Sequence, residues 1–249
     1  MKRLNEQKEH SMHDSFDDLR LPPAQGVGIC PICRGLNYTE ERLCAECTHI
    51  SESLQRDLLP ASPITMYAKP SAMREWLTYY KETAEAPEDP AAQAALKHLL
   101  GAYMPAITSA NETGVDLACV VPSTVRQAPH PLVKVFENVP LPGRLVPGPS
   151  RTSAPISHNN PNAQAYAVEP ERFDGHRVLL LDDVYTTGAR AQSAREALTR
   201  AGAHVVGLVV IARRINPEYR EEAAVLWNHL SAVPFSIEES VARSVKWSV

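Results

Sequence analysis

Long hydrophobic runs are absent from this sequence. The longest, Val205 to Ala212, is interrupted by Gly207 and falls far short of the roughly 20 residues that cross a bilayer. The opening MKRLNEQKEHSMHDSFDDLR is charged throughout and has no apolar segment, so no secretory signal is expected. It reads as a disordered tail over residues 1–25. Cysteine is scarce, with five in 249 residues. Without a signal peptide, so few point to a reducing, cytoplasmic compartment, where cysteines serve metals or cores rather than disulfides. Positive charge is also in short supply, because 25 Lys and Arg face 29 Asp and Glu for a net charge of −4. Such a chain has no general attraction for nucleic acid. What remains is 44% apolar and 22% charged, the composition of a soluble globular protein with room for one α/β domain and a small appendage.

The most informative stretch is Val178 to Arg190, VLLLDDVYTTGAR. Four apolar residues, Val178 to Leu181, read as a strand covered on both faces, as in the middle of a parallel sheet. Asp182 and Asp183 follow at its carboxyl end, the edge on which open α/β sheets hold ligands. Thr186, Thr187 and Gly188 then lead into good helix formers from Ala189 to Leu198, with Gly202 placed to end the helix. A hydroxyl-rich loop at a helix start offers free amides and the positive end of the dipole to a phosphate. Two carboxylates one step earlier suit sugar hydroxyls or a metal. The bland alternative is a solvated acidic strand end before an ordinary helix.

Two further buried strands are expected, at Val115 to Val121 and at Val205 to Ala212. The helix between the signature strand and the last of these gives a β-α-β order, which requires a parallel sheet. The first runs into Pro122-Ser123-Thr124-Val125-Arg126, a turn whose Ser123, Thr124 and Arg126 are candidate anion ligands, although Pro-Ser-Thr is also common loop chemistry. Arg213 and Arg214 end the other, on the ligand edge.

Cys30-Pro31-Ile32-Cys33 and Cys44-Ala45-Glu46-Cys47 are two C-x2-C knuckles ten residues apart. Four thiolates so spaced can form the tetrahedron that structural zinc prefers, leaving no open position for catalysis. The intervening residues would make a hairpin turning at Gly35-Leu36-Asn37. Redox pairs and core cysteines are the alternatives. Cys119, alone in an apolar run, reads as a buried strand residue.

Elsewhere, a hinge is expected over Leu59 to Pro63. A helix capped by Ser71 should carry Met73, Trp76, Leu77 and Tyr80 on one apolar face, and a second should run from Ala91 to about Tyr103. Residues 122–170 hold ten of the 21 prolines and read as a long functional or mobile loop whose polar knot is Ser157 to Pro161. Asn216-Pro217 should cap a helix with Tyr219, Ala223, Leu226, Trp227 and Leu230 on one side. Ser231 to Val249 carries little signal beyond Trp247.

The stretch VLLLDDVYTTGAR resembles the phosphoribosyl pyrophosphate signature of type I phosphoribosyltransferases. Together with CPIC…CAEC, VVPST and the Asn-Pro knot, it resembles the ComF family of phosphoribosyltransferase-like proteins, associated with competence and DNA uptake. The resemblance implies a Rossmann-like parallel-sheet fold over residues 64–249, behind a four-cysteine zinc ribbon over residues 26–60. It implies that Asp182 and Asp183 hold the ribose hydroxyls, that Thr186, Thr187, Gly188, Ala189 and Arg190 wrap the 5′-phosphate, and that Ser123, Thr124 and Arg126 meet pyrophosphate. Mg²⁺ would accompany the phosphoribosyl pyrophosphate. The expected activity is glycosyl transfer from that donor to an unidentified nucleophile. Family members usually have Thr or Ser where Arg190 stands, and purine-salvage members place an acid where Thr186 stands. The alternative is a non-catalytic accessory protein in DNA uptake or nucleic-acid handling that uses the ribbon for interactions. Against it, residues 1–60 hold seven Lys or Arg and ten Asp or Glu. No membrane partner is expected, and a homo-oligomer is left open.

Overall fold

A computed structural model describes residues 16–82, 87–123 and 129–247. Its strands are β1 (Ala61–Tyr67), β2 (Leu117–Val120), β3 (Arg144–Leu145), β4 (Ser150–Arg151), β5 (Tyr166–Ala167), β6 (Arg177–Tyr185) and β7 (His204–Arg214). Five of them form one sheet in the order β1-β7-β6-β2-β3, with every pair parallel. β4 and β5 make a separate antiparallel pair. The helices are α1 (Ala45–Leu54), α2 (Ala72–Tyr79), α3 (Pro90–Ser109), α4 (Leu132–Phe136), α5 (Pro170–Phe173), α6 (Ala189–Arg200), α7 (Glu221–Ser231) and α8 (Ile237–Ala242). The expected α/β parallel-sheet fold is what the chain adopts.

β6 is buried on both faces because it is central. Val178, Leu179, Leu180 and Leu181 are fully buried, and their alternation divides the interior into two cores. Leu179 and Leu181 join Val209, Ile211 and the apolar stripes of α2 and α3. Val178 and Leu180 join Leu208, Val210, the alanines of α6 and the cysteine segment. α6 approaches closely because half of its buried residues are the small Ala189, Ala191, Ala194 and Ala197. Gly202, at φ +87°, ends that helix in the left-handed region.

Several local expectations give way to packing. The apolar run of β6 continues as strand through both acids to Tyr185, since Asp182 pairs with Val210 and Tyr185 with Arg213. Residues 59–63 are no hinge: β1 begins at Ala61, is buried along its whole length, and pairs with β7 from Ala61 onward. α3 passes Tyr103 and runs through Pro105 to Ser109, because Met104 and Ile107 extend its buried stripe beyond the proline. The Pro-rich stretch contributes an edge strand, β3, and a short helix whose Leu132, Val135 and Phe136 enter the core. Tyr219 lies before α7, which starts at Glu221, and is 65% exposed.

The C-terminal stretch proves structural. The Ser240 hydroxyl donates to the Ile64 carbonyl at 2.7 Å, and the Trp247 amide donates to Asn111 Oδ1 at 2.8 Å. The Trp247 ring sits against the space left by Gly207, where a Cβ would meet the indole. With Trp247 only 6% exposed, we expect Trp247→Ala to cost ~3 kcal/mol of unfolding free energy. Urea denaturation followed by circular dichroism measures this.

Candidate functional site

The carboxyl ends of β6 and β2, together with the start of α6, enclose a polar cavity of ≈ 200 Å³. Lys81, Ser123, His130, His158, Asp182, Asp183 and residues 186–191 are among those lining it. The fold thus brings Ser123 together with Asp182, Asp183, Thr186, Thr187, Gly188, Ala189 and Arg190. Thr124 and Arg126 lie outside the described residues. Larger cavities of ≈ 630 and ≈ 640 Å³ lie over the first knuckle and α7, away from the acid pair.

The two acids are adjacent but differ in chemistry. Successive strand residues point to opposite faces, so the environments of Asp182 and Asp183 are set by different neighbours. Asp183 Oδ2 accepts from the Tyr80 hydroxyl at 2.8 Å and from Lys81 Nζ at 2.7 Å. Burial pushes the Asp183 carboxyl up, but the charge of Lys81, then that of His130, and the Lys81 and Tyr80 hydrogen bonds outweigh it and hold the group at about 2. Asp182 is raised well above the ordinary carboxylate range, first by burial and then by the charge of Asp183. Its Oδ1 accepts the Asp183 amide at 2.9 Å, while Arg190 and Lys81 pull weakly the other way. The pair therefore combines a fixed anion with a carboxyl that holds its proton more tightly.

Gly188 makes the loop possible. It has φ +95° and caps α6, and a Cβ there would fall on the Tyr185 hydroxyl. The Thr187 hydroxyl donates to the His158 carbonyl, and the Asn162 amide donates to Ser193 Oγ at 2.8 Å. Within the Asn-Pro knot, the Asn160 amide donates to Ser157 Oγ at 3.2 Å. The knot is a turn that props the loop. Arg190 is exposed on the first turn of α6, close enough for its charge to act on Asp182 and Tyr166.

Lys81, Tyr80 and His130 had no sequence signal as site residues. Tyr80 caps α2 and continues its apolar stripe, yet its hydroxyl reaches an acid 103 positions away. Only the tertiary fold reveals such a pairing.

The four knuckle cysteines converge behind the loop. Their sulfurs all lie within 4.8 Å of one another, with Cys33 and Cys44 at 3.7 Å. Tetrahedral zinc at a Zn–S distance of about 2.3 Å puts sulfurs about 3.8 Å apart, so the cluster can hold a metal such as zinc. The Gly35 amide points at Cys33 Sγ at 3.4 Å. In place of a ribbon hairpin turning at Gly35–Asn37, the first knuckle closes on itself through an Ile29–Leu36 bridge, and the second opens α1. Crowding of the sulfurs splits their acidity: hydrogen bonds from Cys33, Cys44 and Cys47 hold Cys30 low, whereas Cys44 and Cys47 are pushed up. Cys119 stands apart in β2, where burial raises its thiol to about 12.

No family model and no curated protein matches this chain. Among solved structures it is similar to an allosteric regulatory enzyme of purine biosynthesis, at 15% identity and TM-score 0.37 over 56% of this chain and 30% of that one. It thus spans under a third of that protein's length. It is also similar to adenine phosphoribosyltransferase from Saccharomyces cerevisiae, at 13% identity and TM-score 0.37 over 56% of this chain and 89% of that one. The corresponding enzyme from Rhodothermus marinus gives 14% identity and TM-score 0.30 over 58% of this chain and 97% of its own. Among the described residues no helix is long and apolar enough to cross a membrane.

The raised Asp182 carboxyl makes a signed prediction. Because its folded pKa exceeds the unfolded value near 3.9, ionising it costs the folded state, and the cost appears as pH rises above that value. We expect Asp182→Asn to raise the melting temperature of the ligand-free protein at pH 7, and the gain to vanish near pH 3. Melting curves of both proteins across that range check it.

Proposed function

We propose that this protein binds phosphoribosyl pyrophosphate with Mg²⁺ and transfers the phosphoribosyl group to a small nucleophile. One observation carries the reading: an acid pair, a hydroxyl-rich loop with a left-handed glycine, and the start of a twelve-residue helix line one polar cavity at the carboxyl edge of a parallel sheet. That combination suits a sugar hydroxyl pair joined to a phosphate. Asp182 and Asp183 accept the ribose hydroxyls. Thr186, Thr187, Gly188 and Ala189 present amides and hydroxyls to the 5′-phosphate at the positive end of α6, and Arg190 supplies a cation beside them.

Transfer breaks the bond from ribose C1 to pyrophosphate and builds positive charge on the sugar and negative charge on the departing group. Groups that meet this developing charge lower the barrier. Lys81, already paired with Asp183, and His130 place positive or polar groups on the cavity wall, and Ser123 adds a hydroxyl. Asp182 and Asp183 offer the oxygen donors that would hold a hard cation such as Mg²⁺, which would supply charge neutralisation for the leaving group. The acids hold the sugar, and the mechanism asks no proton transfer of them. Thr186 leaves no carboxylate for a purine ring at that position, which points to another class of acceptor.

The four-cysteine cluster holds structural zinc in this reading. All four cysteines are buried and share a core with the sheet, which favours a structural role over a nucleic-acid-reading finger.

With phosphoribosyl pyrophosphate and Mg²⁺ at a hundredfold excess over Kd, we expect a stabilisation of about 2.7 kcal/mol, and we expect Asp182→Asn with Asp183→Asn to abolish it. Thermal denaturation measures both, and an unshifted wild type at millimolar ligand overturns the site. Protein purified without chelator should carry about one zinc per chain by elemental analysis. Acidification should release the metal, because protons compete for the thiolates. Less than half an equivalent counts against the cluster as a zinc site.

A further inference from the structure

Among the described residues, Arg213 touches both the cysteine cluster and the ligand loop. Its Nη1 donates to the Thr186 carbonyl at 2.7 Å and to the Tyr185 carbonyl at 3.3 Å. Its Nη2 donates to Cys33 Sγ at 3.4 Å, and its guanidinium carbon lies 5.8 Å from the centre of the Tyr185 ring. A guanidinium is a rigid planar fork, so the position of Cys33 and that of the two loop carbonyls are fixed relative to each other.

Two glycines keep space for this arrangement. A Cβ on Gly35, in the first knuckle, would fall on the Arg213 guanidinium, and one on Gly188, in the loop, would fall on the Tyr185 hydroxyl. Gly35 is not at positive φ, so close approach to Arg213 is the constraint there. A second link runs alongside. The Gln192 side-chain amide donates to the Leu59 carbonyl at 2.7 Å and to the Tyr185 hydroxyl at 3.4 Å, and it accepts the Leu59 amide at 3.0 Å.

The peptide geometry gives these contacts a consequence. In a trans peptide the carbonyl of one residue and the amide of the next point in opposite directions. Holding the Tyr185 and Thr186 carbonyls toward Arg213 therefore turns the Thr186 and Thr187 amides away from it, and both threonines line the polar cavity. A cluster of four thiolates around a dication carries a net charge of −2, which strengthens the Arg213–sulfur contact. Loss of the metal frees Cys33 from the cluster and with it one anchor of the guanidinium.

We propose that Arg213 is a positioning residue through which the metal-loaded cysteine cluster pre-sets the phosphate loop, so that metal and phosphoribosyl ligand bind with positive coupling. The inference rests on reading that loop as the phosphate cradle. Coupling of this kind is reciprocal: whatever factor the metal adds to ligand affinity, the ligand adds to metal affinity.

The test uses the full chain in its zinc-loaded form. Zinc loss to a chromophoric chelator is timed with and without phosphoribosyl pyrophosphate and Mg²⁺, and hydrogen exchange of residues 185–190 is followed before and after metal removal. In the wild type, ligand should slow zinc loss, and metal removal should speed exchange of the loop amides. Arg213→Met should speed both zinc loss and loop exchange and weaken ligand binding about tenfold, with Arg213→Lys recovering part of each. Gly35→Ala, which displaces the guanidinium without removing it, should fall in the same direction. Ligand binding with unchanged zinc release overturns the coupling, as does Arg213→Met with wild-type loop exchange. Absence of ligand binding to the wild type overturns the ligand reading instead, while the exchange and zinc-release measurements still decide whether Arg213 joins cluster to loop.

Discussion

The parallel pairing of β6 with β7 governs this structure. Its register sets Asp182 beside Val210, Val184 beside Ala212 and Tyr185 beside Arg213, and so places the acids, the loop and the arginine along one edge of the sheet. Parallel strands must be joined by a crossover, which here is α6. Because that helix starts where β6 ends, its free amides and positive dipole end lie next to the acids without any further device.

Charge is the second constraint on this edge. Two adjacent carboxylates at a partly buried strand end repel each other, and the fold meets this by giving Asp183 a cation and a phenol while leaving Asp182 with one backbone amide. The result is an asymmetric pair, with Asp183 held low and Asp182 raised. The edge thus presents a fixed anion beside a carboxyl whose ionisation is disfavoured by burial and by its neighbour.

The cysteine segment illustrates how a small unit is stabilised when it has little core of its own. Ile32, Ile50 and Leu54 share a core with Leu180 and Val210 of the sheet, the Ala61 amide donates to the Ile32 carbonyl at 2.8 Å, and Arg56 reaches the buried Glu196 of α6 at 3.5 Å. Cys33 faces Arg213 and, through it, the loop. The cluster is thus built into the back of the site as part of one packed body.

The sequence by itself determined the central strand, the helix behind it, the parallel order and the two knuckles. Each of these depends on residues close together in the chain: four apolar residues in a row, a run of alanines ending at a glycine, cysteines two apart. The acid pair and the hydroxyl loop were legible for the same reason. Tertiary structure decided what pairs with what. The helix stripe of Met73, Trp76 and Tyr80 reads as plain core, yet its Tyr80, with Lys81 beside it, holds Asp183. Residues 59–63 look like a hinge because Pro and Leu carry no periodic signal over so few positions, and only pairing with β7 starts a strand at Ala61. The last nineteen residues look empty until Gly207 gives Trp247 a seat. Such partnerships span from 28 to more than 170 positions of chain, and local pattern is silent at that range because burial, charge and hydrogen bonding are settled only when the layers close.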